Sequence, residues 1–294
     1  MTTALLVVNR YAAASTPRLV SRVLKVLRRY SAVDVIETVP GQTTARVVRR
    51  VDRTVDRIYV LGGDGTVGDV AGALTESDID LGVIPCGTTN VVARECGIPL
   101  QPSRAAEALA RSRRTRIFQT WSTGRGTLIL NMGVGFDARL MLHTTMRAKR
   151  RWGILAVAVT ALREVVRYDF PEIDIEGQDA TGRPFKLRGT YMLVGNLKRY
   201  AGDAIMLPRA DPADELLDLL VFRSCERMRL AAFWALSAIP GSPHIKLDYV
   251  RSLRARILRV DSATGVEVHL NGDPHGQTPV QLEPSGRVRL LVPV

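Results

Sequence analysis

Cysteine is scarce in this 294-residue chain, with only Cys86, Cys96 and Cys225. Three thiols cannot complete a disulfide framework, and none sits in a C-x-x-C pair, which argues against zinc ribbons and thioredoxin-type chemistry. Aromatic residues make up 5%, too few for the stacking platforms of single-strand binders. No zinc-finger or RNA-recognition signature occurs, so nucleic acid is not an expected partner. Long apolar runs are missing as well. A stretch such as Ile154 to Val159 falls far short of the ~20 residues that a membrane-spanning helix needs. No basic residue precedes the apolar run Ala4 to Val8, so the start reads as a first strand and not a leader, and a cytoplasmic location is expected. His143, His244, His269 and His275 show no metal-ligand spacing, and no G-x-S-x-G elbow is present.

What is present is positive charge, unevenly spread. The formal net charge is +12, and residues 101–151 alone hold 11 Lys or Arg against 2 Asp or Glu. Such a block favours an anionic partner, and with nucleic acid set aside by the missing signatures that is an anionic membrane surface or a phosphorylated substrate.

The first hundred residues alternate strand and helix signals. Ala4 to Val8, Val33 to Ile36, Ile58 to Leu61 and Leu81 to Ile84 read as strands, with helices over Leu19 to Leu27, Ala45 to Val51, Val67 to Leu74 and from Val91 toward Gly97. That order predicts a mostly parallel sheet covered on both faces. From about residue 115 strand signals dominate, at 116–121, 127–131, 173–175, 185–194, 217–222, 257–260, 266–270 and 288–292, interrupted by helices near 152–167 and 228–239. The second half is therefore predicted to be an antiparallel sandwich or barrel, with the boundary near Trp121.

Two turns carry the chemistry. Gly62-Gly63-Asp64-Gly65-Thr66 follows a strand and opens a helix. Its glycines permit a tight turn and close backbone approach, and the helix start offers N–H groups to a phosphate. It is neither a P-loop nor G-x-G-x-x-G. A carboxylate beside phosphates is repulsive unless a cation mediates, so Asp64 points to Mg²⁺. The alternative is an ordinary strand-to-helix turn capped by Asp64 or Thr66. The next strand ends in Pro85-Cys86-Gly87-Thr88-Thr89-Asn90. Successive parallel strands place both turns at one edge, where open α/β sheets bind ligands.

The segments Tyr59 to Leu74 and Gly82 to Pro99 resemble the diacylglycerol kinase catalytic family, which includes bacterial lipid kinases and sphingosine kinases. The likeness continues through Asn131 to Ala138, Val194 to Asn196, Tyr200 to Gly202, Pro208 to Asp218 and Leu270 to Asp273. It implies an N-terminal α/β nucleotide domain like those of NAD kinases and phosphofructokinases over residues 1–121, joined by a returning strand 288–294. A C-terminal antiparallel β-sandwich lipid-substrate domain would occupy 122–287. It also implies transfer of the ATP γ-phosphoryl group to a lipid hydroxyl, diacylglycerol foremost. By position Asn9, Thr38, Gly62, Gly63, Asp64, Gly65, Thr66, Gly87, Thr88 and Asn90 would hold the nucleotide, with Asp64 organising Mg²⁺. Asp214 and Asp218 would match a second, structural metal loop, against the alternative of a polar β-turn.

The chain departs from the family pattern at several points. Gly68-Asp69 replaces the usual Asn-Glu after GGDGT, Asn9 is followed by Arg10 and not Pro, and Tyr200-Ala201-Gly202-Asp203 replaces Tyr-Gly-Gly-Gly. Asn271-Gly272-Asp273 stands where the family has Asp-Gly-Glu, whose Asp is held to take the proton of the lipid hydroxyl. An amide cannot do so. Either Asp273 takes over, or the site binds nucleotide with slow or no turnover. A soluble-substrate kinase resembling NAD kinase is a further alternative. For a lipid substrate, Arg147, Lys149, Arg150 and Arg151, ahead of the apolar stretch Trp152 to Leu162, are the expected docking residues at the inner membrane surface. A homodimer is compatible with the sequence.

Overall fold

The computed structural model describes residues 2–12, 14–38, 48, 55–144, 154–200, 202–223 and 226–294. The expected helix over Ala45 to Val51 and the docking residues Arg147, Lys149, Arg150 and Arg151 lie, apart from Val48, outside the described residues. The chain divides into two units, Met1–Thr120 with Ser285–Val294, and Trp121–Pro284.

The first unit is an α/β domain. Its parallel strands are β1 (Thr2–Asn9), β2 (Ser31–Thr38), β3 (Arg57–Gly62) and β4 (Asp80–Pro85), ordered β2-β1-β3-β4. Leu6, Val7, Val8 and Ile58 through Leu61 are wholly buried, as near-continuous apolar runs between two helical layers must be. Helix α1 (Pro17–Leu27) has Thr16 as its N-cap, accepting from Leu19 N at 3.2 Å, with Pro17 in its first turn. Helices α2 (Asp64–Ala73), α3 (Val91–Glu95) and α4 (Pro102–Arg111) follow β3 and β4. The last long strand, β15 (Val280–Leu291), gives its end to this unit, where Arg289 and Leu290 lie parallel to Asp80 and Leu81 of β4.

The second unit is an antiparallel β-sandwich. Strand β5 (Thr115–Ser122) belongs to the first unit up to Thr120, and its last residues pair with β6 (Thr127–Leu128) through Trp121 and Leu128. Strands β7 (Asn131–Val134), β10 (Tyr191–Gly195), β11 (Leu217–Phe222), β12 (Val250–Asp261), β13 (Glu267–Leu270) and β14 (Asp273–Gln277) run in the order β14-β13-β7-β10-β11-β12. Strands β8 (Ile173–Asp179) and β9 (Pro184–Gly189) form a hairpin on β12. The single strand expected over 185–194 is thus two. Strand β9 ends its pairing with β8 at Gly189 and the chain re-enters between β7 and β11 at Tyr191, so the apolar run changes partners at Thr190.

Strands β10 and β11 are buried at every position because each face has its own core. Met192, Val194, Leu217, Leu219 and Val221 pack in the sandwich interior with Trp121, Ile175 and Val260. The alternating Tyr191, Leu193, Leu220 and Phe222 face an aromatic layer with Phe136, Tyr168 and Phe233. Edge-on ring pairs such as Phe222–Phe233, 4.5 Å between centroids, hold it. Helices α5 (Phe136–His143), α6 (Ile154–Arg167) and α7 (Arg227–Ser237) complete the unit. Among the described residues no helix is long and apolar enough to cross a membrane.

Candidate functional site

In the first unit the two glycine turns meet. Gly62 and Pro85 are register partners at the carboxyl ends of β3 and β4, and Cys86 N donates to Gly62 O at 2.9 Å. A Cβ on Gly87 would lie 2.7 Å from Gly63 Cα, so backbone packs on backbone and only glycine fits.

Asp64 ties the two turns together. Its Oδ2 accepts Thr89 Oγ1 at 2.9 Å and Val91 N at 3.0 Å, and its Oδ1 accepts Val92 N at 3.2 Å. Helix α3 lacks a side-chain cap of its own. Asn90 sits at its N-cap with φ 48 and turns back on Gly87, accepting Gly87 N at 2.9 Å and donating to Gly87 O at 3.0 Å. The carboxylate of Asp64 therefore supplies the cap from the neighbouring turn. Burial pushes the Asp64 carboxyl upward, and the donors from Val91, Thr89 and Val92 offset only part of that.

The other expected nucleotide residues surround this junction. Asn9 Nδ2 donates to Thr66 Oγ1 at 2.8 Å, and Asn9 Oδ1 accepts Tyr11 N at 2.8 Å. Thr38 is buried, with its hydroxyl on Val8 O at 3.4 Å. Thr88 is exposed on the second turn. Helix α2 begins without a side-chain cap at Gly63, so its first N–H groups, Gly65 and Thr66 among them, suit an anion. Thr89, Val91 and Val92 spend three of the roughly four acceptor positions of the Asp64 carboxylate, and the Asn90 backbone amide is directed at it as well. One carboxylate oxygen position plus phosphate oxygens is a set that Mg²⁺ accepts. Among the described residues no cluster of three His, Cys, Asp or Glu forms a metal site.

The expected second metal loop has a different chemistry. Arg254 reaches Asp214 Oδ2 and, through Nε, Asp218 Oδ2 at 3.0 Å, while Arg209 Nε lies 3.6 Å from Asp218 Oδ1. Asp214 Oδ1 accepts Leu216 N at 3.0 Å. A guanidinium already bridges the two carboxylates, so this pair does not fit a divalent cation held between them. Burial raises the Asp218 carboxyl, with Arg254 and Arg209 pulling it down.

Asn271 and Gly272 form the two-residue turn between β13 and β14, with φ 52 and 85 and Leu270 opposite Asp273. Asn-Gly is the preferred pair where both residues need positive φ. Three of the four hydrogen-bonding positions of the Asn271 amide are used within the unit: Oδ1 accepts Ile129 N and Leu130 N, each at 3.1 Å, and Nδ2 donates to Thr127 O at 2.7 Å. Asp273, two residues on, is exposed.

The aromatic side of this unit holds a constellation that sequence reasoning missed. Asp137, on α5, accepts Tyr200 Oη on Oδ2, and the same oxygen lies 2.6 Å from His269 Nε2. Asp137 and His269 are both wholly buried. A Cβ on Gly133 would come within 2.5 Å of Asp137 Oδ2 and 2.6 Å of His269 Nε2, so glycine makes room for the pair. Burial, and then the Asp137 charge, hold the Tyr200 phenol well above its ordinary range. Gly133 and Asp137 both belong to the segment quoted for the family likeness, which was the available signal; His269 lies 132 residues further on.

Comparison with known proteins agrees with both units. The diacylglycerol kinase catalytic domain matches residues 3–120, and the YegS C-terminal NAD kinase beta sandwich-like domain matches residues 131–292. A protein named diacylglycerol kinase from Mycobacterium tuberculosis is 30% identical, over 83% of this chain and 80% of its own length. A Pseudomonas aeruginosa protein named "Probable lipid kinase YegS-like" is 29% identical, over 72% of this chain and 68% of its own. A crystal structure of a diacylglycerol kinase from Bacillus anthracis superposes with a TM-score of 0.73 at 18% identity, covering 99% of this chain and 96% of that one. With both units matched in chain order, the chain belongs to the diacylglycerol kinase catalytic family, with a YegS-type sandwich as its second domain.

Proposed function

We propose that the protein is an ATP-dependent lipid kinase that moves the γ-phosphoryl group to a lipid hydroxyl, that of diacylglycerol foremost, giving phosphatidic acid. The observation that carries this reading is the Asp64 bond to Val91 N at 3.0 Å, which joins the two glycine turns at the carboxyl edge of the sheet. The uncapped start of α2 and the exposed Thr88 offer donors to the phosphates. Mg²⁺ bound with the nucleotide would be held through Asp64 and would neutralise charge on the transferring phosphoryl group. Positioning and charge neutralisation carry most of such a transfer, so the exposed carboxylate of Asp273 suffices as proton acceptor in place of Asn271. Docking on the inner membrane surface by Arg147, Lys149, Arg150 and Arg151 would bring the lipid within reach.

A second reading, nucleotide binding with little or no turnover, draws support from the Asn271 amide, whose oxygen and nitrogen are committed to backbone groups. The test is incubation with labelled ATP, Mg²⁺ and a panel of diacylglycerol, monoacylglycerol, sphingoid and polyprenol acceptors, with NAD in parallel. Label in the organic phase is the expected result and identifies the acceptor. ATP binding without any labelled lipid supports the second reading, and labelled NAD phosphate overturns both.

A further inference from the structure

The basic block at 101–151 sends two arginines to a place that the proposed reaction does not use. Arg111 ends α4 and Arg113 lies two residues on. With Tyr30, Ser31, Arg57, Ala110 and Ser112 they line a recess of about 450 Å³. Ser31 opens β2 and Arg57 opens β3, so the recess lies at the amino ends of the parallel strands. The glycine turns follow the opposite ends, one strand length or about 17 Å away.

The recess is built, not merely a place where side chains wave in solvent. Arg57 donates through Nη1 to Ala110 O at 3.4 Å and through Nη2 to Ser112 O at 3.0 Å. That fixes the guanidinium plane with two of its five N–H donors. Ser112 is wholly buried; its hydroxyl donates to Val292 O at 2.6 Å and accepts Arg114 N at 3.0 Å. The turn that presents Arg113 is thereby pinned. Among the described residues no carboxylate lines the recess. Glu107 lies near Arg111, at 3.9 Å, and takes the Tyr30 hydroxyl at 3.2 Å. A cation at a helix carboxyl end complements the helix dipole, which accounts for Arg111. It accounts neither for Arg57 at a strand start nor for Arg113 beyond the helix.

We propose that this recess binds a phosphomonoester group: Arg57 forms its fixed floor, and Arg111 and Arg113, both exposed, close over the anion. Guanidinium forks match phosphate oxygens in pairs, and the volume admits a phosphate with the first atoms of its ester. The phosphate can come from a soluble metabolite or from a lipid headgroup.

Calorimetric titration of the full chain with glycerol phosphate and with dioctanoyl phosphatidic acid tests this. Saturable binding is expected, and the R111A/R113A variant is expected to bind at least about tenfold more weakly, a loss of about 1.4 kcal/mol, at an unchanged melting temperature. The R111K/R113K variant, which keeps the charge but not the fork, is expected to fall between the two. Equal affinity for the two probes assigns a soluble ligand, and a tenfold preference for phosphatidic acid assigns the headgroup. No saturable binding, or equal binding by R111A/R113A, overturns the site.

Discussion

The Asp64 carboxylate accepts the amide of Val91 at 3.0 Å, so the residue that opens α2 also caps α3. A position read from sequence as a metal ligand thus has a prior structural duty: it closes two loops into one surface.

Replacing Asp64 by Asn tests that duty. An amide keeps one acceptor but turns its NH₂ group on donors that now face the carboxylate. A stability loss of about 1–3 kcal/mol is expected, together with weaker ATP binding, read by chemical denaturation and by nucleotide titration. A D64N protein that unfolds at the wild-type midpoint refutes the cap.

Asn271→Asp restores the family carboxylate but places an oxygen where Nδ2 now donates to Thr127 O at 2.7 Å. Two acceptors then face each other, so the new carboxyl holds its proton above the ordinary Asp value of about 3.9. Its folded pKa exceeds the unfolded one, so stability falls as pH rises between the two. The melting-temperature gap to wild type is expected to widen from pH 4 to pH 8, by the equivalent of about 1–3 kcal/mol. Any gain in lipid phosphorylation should appear only at the alkaline end. A constant gap across that range rules the clash out.

Arg254 bridges Asp214 and the buried Asp218. Removing one partner of such a pair strands the other charge, at a cost of about 3 kcal/mol. Arg254→Gln is expected to lose roughly that amount, whereas wild-type protein should melt at the same temperature with and without EDTA. A drop in wild-type melting temperature on chelation would restore the metal loop.

His244 is wholly buried, with Nε2 on Met206 O at 3.0 Å, and burial lowers its pKa. Below about pH 6.5 the unfolded chain takes up a proton there that the folded chain still refuses. Stability therefore drops as pH falls through that value and levels off once the lowered folded value is passed. His244→Gln, which can still donate to Met206 O, should flatten the dependence of the denaturation midpoint between pH 7 and pH 5. An unaltered slope excludes His244 as its source.

The parts legible in the sequence are those written over short spans. The runs Ile58 to Leu61 and Leu81 to Ile84, each ending in a glycine turn, are enough to predict parallel strands with both turns at one edge. The turn at Asn271-Gly272 is also written locally, as an Asn-Gly pair of the kind that closes a hairpin, within the stretch that matches the family's catalytic motif. Long-range partners were not legible. Asp64 meets Val91 across 27 residues, Arg254 meets Asp214 across 40, and His269 meets Asp137 across 132. Periodicity reports which face a side chain occupies but not which distant group waits there.

Strand β15 returns to β4 after the whole second unit has passed, and Thr120 Oγ1 donates to Gly286 O at 2.9 Å across 166 residues. While a ribosome is still making the sandwich, the nascent first unit has an open sheet border at β4, with unpaired amides and carbonyls free to recruit another polypeptide. That border is covered only once residues 289 and 290 have been made and laid against β4.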